Sequence, residues 1–183
     1  MIGLREKIVA LAASLRSAGI PHAFGGALAL AWCTRQARGT IDIDVNIFTG
    51  VERTAEVFAG LPSGVAWSDA DVARVQTDGQ VRLWWDQTPV DVFLNTSEFH
   101  EEAATRIRFE EFAGSQVPFL SCTDLAVFKA LFNRTQDWAD LEQMADLGTL
   151  DLDRLIGVMV RYVGTDDERI ERLRVLGRRA PGT

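Results

Sequence analysis

Apolar residues recur at helical spacing from the start of the chain: Ile2, Leu4, Ile8, Leu11 and Leu15. This predicts a helix over 2–18, stopped by Ala18-Gly19 with Pro21 just beyond. A short strand over 22–25 then runs into Gly25-Gly26, and Ala27 to Cys33 reads as a short helix. Over 41–48 the period changes to two. Ile41, Ile43, Val45 and Ile47 share one face, and Asp42, Asp44 and Asn46 share the other. A helix is expected over 52–60, strands over 72–77, 80–85 and 89–94, and a helix over 97–106. Residues 107–120 form an irregular or strand-like return broken by Gly114 and Pro118, and helical patterns then cover about 123–133, 136–147, 151–162 and 166–177. The expected organisation is an α+β part over 1–120 and a helical part over 121–183 packed on it as a single compact unit.

Length agrees with that picture, because 183 residues are enough to bury a sizeable core. Charge narrows the partners. The formal net charge is −7, and an acidic chain is a poor general binder of phosphate backbones. The longest charge-free run, Ser17 to Thr34, contains Pro21 and Gly25-Gly26 and so does not read as a membrane span. No basic segment leads into an apolar one at the start, so the sequence reads as soluble and cytoplasmic, without a signal peptide. Two cysteines, Cys33 and Cys122, cannot build a multi-disulfide framework or a four-cysteine zinc site, and they point to a reducing compartment.

The chemistry is concentrated in carboxylates. Asp42 and Asp44 stand at i and i+2 on a strand, roughly 7 Å apart and on one face. Asp91 is embedded in the apolar run Val90-Asp91-Val92-Phe93-Leu94. Alternating Asp and Ile is by itself an ordinary half-exposed strand, but an aspartate in an apolar run is costly to bury without a purpose. If the two strands are neighbours, three carboxylates converge. Such a group calls for a divalent cation, and all-oxygen ligands favour Mg²⁺ or Mn²⁺ over zinc. The Gly25-Gly26 turn ahead of a helix supplies backbone groups that can approach phosphates.

In these residues the sequence resembles the nucleotidyltransferase superfamily that includes DNA polymerase beta. The nearest branch is the small bacterial one: minimal nucleotidyltransferases, antibiotic nucleotidyltransferases and abortive-infection type toxins. The matching positions are Gly25 and Gly26, Arg38 and Thr40, Asp42 and Asp44, and Asp91, and Lys129, Asp137 and Asp140 look like later motifs of the toxin-like branch. The resemblance implies a mixed sheet flanked by helices with a C-terminal helical part. It implies an enzyme that moves a nucleoside monophosphate from an NTP to an acceptor hydroxyl or phosphate. Asp42, Asp44 and Asp91 would hold Mg²⁺ or Mn²⁺, and Gly25, Gly26, Arg38, Thr40, Lys129 and Asp137 would bind the nucleotide. The toxin-like branch implies a tRNA or protein acceptor and an antitoxin partner. The antibiotic branch, of the aminoglycoside or lincosamide type, implies a small hydroxylated acceptor. One departure stands out: where many members place Ser or Thr after the glycine pair, this chain has Ala27 and Leu28. A non-catalytic binding module on the same fold is the alternative which that departure supports.

Other residues carry less. Lys129, Asn133 and Asp137 would form one polar stripe on a continuous helix. Trp84 and Trp85 precede Asp91 and suit either the core or stacking on a base. His22 and His100 lack ligand-spaced partners and read as structural. Arg169, Arg172, Arg174, Arg178 and Arg179 make a local basic patch near the end of the chain.

Overall fold

A computed structural model describes residues 2–36 and 39–179. It divides into two compact units, one of residues 1–28 and 38–120 and the other of residues 29–37 and 121–183. In the first unit the chain runs α1 (Leu4–Ser17), β1 (His22–Phe24), the start of α2 (Gly26–Thr34), β2 (Ile43–Gly50), α3 (Thr54–Ala59), β3 (Val65–Ala66), α4 (Asp69–Asp78), β4 (Gln80–Trp85), β5 (Thr88–Asn95), α5 (Glu98–Ala104), β6 (Arg108–Phe112) and β7 (Ser115–Phe119). The strands form one mixed sheet in the order β3-β4-β5-β2-β1-β7-β6. β2 pairs in parallel with β5, and β1 pairs in parallel with β7. The other neighbours are antiparallel. Ile43, Val45 and Ile47 of β2 and Val90, Val92 and Leu94 of β5 are buried at the centre of the sheet. α1 packs its apolar stripe against β1 and β7, and α5 packs against β2 and β5.

Three local outcomes differ from the pattern reading. Residues 72–77 are helical, within α4. Ser68 closes a capping box with Asp71, and Gly79 ends the helix in the left-handed region at φ 71°. Capping at both ends outweighs the β-branched residues between them. β2 starts at Ile43 rather than 41, and Ile41 is 74% exposed. The Thr40 hydroxyl bonds the backbone N–H and C=O of Asp42, and this local turn keeps Ile41 out of the strand. Residues 107–120 are a hairpin. Ala113 and Gly114, both at positive φ, make its two-residue turn.

Lys7 fixes the end of the β4–β5 hairpin from α1. Its buried ammonium donates to the Trp85 carbonyl at 2.7 Å and the Thr88 hydroxyl at 3.1 Å, and it pairs with Asp86 at 3.1 Å. His22 and His100 are both buried, and burial lowers the pKa of each.

The second unit holds the rest of α2 with α6 (Cys122–Phe132), α7 (Thr135–Asp146), α8 (Leu152–Val163) and α9 (Glu168–Arg179). α6 packs on α7 and α8, and α9 packs on α8 and α7. Asn133 sits at φ 57° and ends α6 as its left-handed C-cap before α7 begins, so the continuous polar stripe does not form. The reversal folds Asp137 and Asp140 back onto Lys129. The C-terminal arginines are mostly engaged: Arg169 with Asp167, Arg174 and Arg178 with Glu171, and Arg172 over the Trp138 ring. Cys33 and Cys122 are joined in a disulfide, which departs from the reading of two thiols in a reducing compartment. Nothing in two cysteines 89 residues apart signals that α2 and α6 bring them together. Among the described residues no helix is long and apolar enough to cross a membrane.

Two outcomes are expected. Replacing Cys33 and Cys122 with serine removes a cross-link across a long loop and should lower the unfolding free energy by about 2–4 kcal/mol. Urea denaturation measures it, and an unchanged midpoint would show that the bond carries no stability. His100 has its pKa pushed down from 6.5 to about 4 by burial. Between those values the unfolded chain binds the extra proton, so stability rises with pH there. It is complete above about 6.5 and is lost down to about 4, by roughly 3 kcal/mol. The slope of unfolding free energy against pH should exceed that of His100→Asn by nearly one proton in this window.

Candidate active site

The site is built on the middle of the sheet. Parallel pairing of β2 with β5 makes Asp44 and Asp91 direct register partners. Their carboxylates leave one face of the sheet from adjacent strands, whose axes lie about 4.8 Å apart. The alternating neighbours Ile43, Val45, Val90 and Val92 are buried beneath them and hold the two strands in place. Asp42 lies just before β2, tied by Thr40.

The Gly25-Gly26 turn lies over Asp44. The Gly25 N–H donates to the Asp44 carbonyl at 2.9 Å, so that group is already committed. Gly26 has φ 52°, and a Cβ there would collide with the Asp44 carboxylate. A Cβ on Gly25 would come 2.9 Å from the Asn46 amide. Gly26 is therefore required by its φ and by the closeness of turn and strand, whereas a Cβ on Gly25 asks only a shift of the Asn46 amide. Helix α2 starts here with no acidic residue in its first turn.

One residue that pattern reading missed completes the cluster. Arg82 of β4 is the register partner of Asp91. Its Nε donates to Asp91 Oδ1 at 2.7 Å and its Nη2 to Asp91 Oδ2 at 2.7 Å. Nη2 also reaches Asp42 Oδ2 at 3.2 Å. The hydrogen bond to Asp91 raises the guanidinium pKa above its ordinary value, with further help from the charges of Asp91, Asp42 and Asp44. The expected strands 80–85 and 89–94 leave three residues between them and would set Arg82 opposite Val92; β5 instead starts at Thr88, and the two-residue turn at 86–87 sets Arg82 opposite Asp91. Trp84 stands two residues further along the same face, half-exposed, while Trp85 is buried.

The two strands are neighbours, as the carboxylate reading requires. Among the described residues no group of three acidic, histidine or cysteine side chains is already arranged to hold an ion. The guanidinium of Arg82 bridges Asp91 and Asp42 instead. As a donor set the three carboxylates offer only hard oxygen, the type that suits Mg²⁺ or Mn²⁺.

Arg38 lies outside the described residues. Lys129 and Asp137 belong to the second unit. There the Lys129 ammonium is buried, 2.6 Å from Asp140 and 3.5 Å from Asp137. Arg134 donates to Asp137, and Gln136 to Asp140.

The sequence matches no protein-family profile and no curated protein. Solved structures do match. The antibiotic-resistance factor ANT(2'')-Ia aligns with a TM-score of 0.56 at 19% identity, over 95% of this chain and 90% of its own. An antigenic nucleotidyltransferase-like protein from Paracoccidioides brasiliensis aligns with a TM-score of 0.56 at 14% identity, over 96% of this chain and 88% of its own. With its Asp-x-Asp segment beside the Asp91 strand and its Gly-Gly turn folded over Asp44, the chain has the nucleotidyltransferase fold.

Proposed function

We propose that the protein is a metal-dependent nucleotidyltransferase that moves a nucleoside monophosphate from an NTP to an acceptor hydroxyl or phosphate. The observation that carries this reading is the register pairing of Asp44 with Asp91 beneath Gly26, where any side chain would collide with the Asp44 carboxylate. A fold shared with a resistance factor and a nucleotidyltransferase-like protein supports it.

Asp42, Asp44 and Asp91 would hold Mg²⁺ or Mn²⁺. A divalent cation bound there supplies charge neutralisation for the triphosphate and for the pyrophosphate that leaves. Asp91 takes the proton of the acceptor hydroxyl, whose oxygen forms the new bond to the α-phosphorus as the bond to pyrophosphate breaks. Backbone groups of Gly26 and the first turn of α2 meet the phosphates, in place of the hydroxyl that Ala27 and Leu28 lack. Thr40 positions Asp42 through its backbone. Lys129 and Asp137 need no part in this minimal scheme, since the lysine already has two carboxylate partners.

For the acceptor, a small hydroxylated, amine-bearing molecule is favoured over tRNA. The chain carries a net charge of −7, which repels a polyanion and attracts a cation, and one of its structural neighbours is an antibiotic-resistance factor.

The direct test is thermal unfolding with Mg²⁺ and each NTP. A ligand at 100 times its Kd should add about 2.7 kcal/mol to wild type. Asp44→Asn should lose this gain and lower transfer at least about a hundredfold, with the protein still folded. Unchanged turnover in that variant would end the mechanism. Gly26→Ala should push the Asp44 carboxylate aside and reduce kcat by about a hundredfold, as small misplacements of reacting groups do. A fully active Gly26→Ala would show that the glycine turn has no part in catalysis. Assays with radiolabelled NTP against aminoglycosides, lincosamides and bulk tRNA decide the acceptor: label on tRNA alone overturns the small-molecule reading.

A further inference from the structure

The carboxylates stand in a charged row across three strands. In sheet order β4-β5-β2 the row reads Arg82, Asp91, Asp44, with Asp42 just below the start of β2. Asp44 and Asp91 are like charges in directly opposed positions, an arrangement that opposes strand pairing. Arg82 answers it. Its fork grips both oxygens of Asp91 at 2.7 Å, and one nitrogen spans to Asp42 at 3.2 Å. The pair geometry is bidentate and parallel, the strongest form of arginine–carboxylate contact. The two acids it holds are the more enclosed partners, with side chains 17% and 35% exposed, while Arg82 itself is 49% exposed and borders solvent. An arginine so placed can turn outward without opening the core. The strand that carries it cannot slide, because the turn at 86–87 and the Lys7 contacts fix the hairpin.

We propose that Arg82 is a positioning residue that acts as the resident counter-ion of the active site. With no metal bound, it keeps Asp91 and Asp42 together and competes with a divalent cation for their oxygens. The metal site forms only when the guanidinium swings away. This rests on the reading of Asp42, Asp44 and Asp91 as the metal-nucleotide site. It accounts for the guanidinium lying between Asp91 and Asp42, on oxygens that a divalent cation would need. A residue with a merely structural role would lower metal affinity when removed. A competing cation raises it.

The experiment is Mn²⁺ titration of the nucleotide-free full chain by calorimetry, on wild type, Arg82→Gln, Arg82→Lys and Asp44→Asn. Arg82→Gln should bind Mn²⁺ about tenfold more tightly than wild type, since a charged rival for the same oxygens is gone. Arg82→Lys, which keeps the charge but loses the fork, should fall between them and stands in if the glutamine variant fails to fold. In EDTA, Arg82→Gln should melt below wild type, and saturating Mn²⁺ should close that gap. Equal or weaker binding by Arg82→Gln, with binding lost in Asp44→Asn, overturns the counter-ion role and leaves the site intact. Absence of Mn²⁺ binding in both wild type and Arg82→Gln overturns the role and the metal-site reading together.

Discussion

The parallel pairing of β2 with β5 is the constraint on which the rest of the molecule depends. It is buried from below by aliphatic side chains of both strands, and it sets Asp44 and Asp91 side by side above. Burial of that apolar layer is what makes two adjacent like charges tolerable. The chain then answers the charge from a third strand, with Arg82, rather than by separating the acids. Polarity, packing and the chemistry proposed for the site are thus decided by one strand register.

Charge is handled by a consistent rule elsewhere. The chain has only two lysines, Lys7 and Lys129, and both are buried with carboxylate partners. Lys7 anchors the turn end of the hairpin that carries Arg82 and Asp91, so a contact remote in sequence supports the site's geometry. Lys129 ties α6 to α7 within the helical unit. A buried ammonium between two acids is weak as a source of stability but strong as a determinant of one arrangement, because removing either partner leaves an unpaired charge inside.

Much of the fold was legible because its signals are local. The period-two run from Ile43, the apolar stripe of α1 and the C-terminal helices declare themselves through spacing alone, and their ends fall within a few residues of expectation. Residues 72–77 misled because β-branched side chains there outvoted a capping box and a left-handed glycine, signals that lie at the ends of the element rather than within it. Of the proposed site, the aspartates and the glycine pair stood out by residue type and context. Arg82 did not, because arginine on a polar strand face is ordinary until its cross-strand partner is known.

The sequence by itself determined which residues are the candidates for the proposed site. An aspartate within an aliphatic strand and a glycine pair before a helix are costly choices that composition cannot explain. Tertiary structure alone decided what those residues meet. It set Asp91 between Asp44 and Arg82, joined Cys33 to Cys122, and turned Asp137 and Asp140 back onto Lys129. The physical reason is range: backbone propensity and side-chain periodicity act over a few residues, whereas ion pairs, register partners and the disulfide join positions from 8 to 89 residues apart only after the core has brought them together.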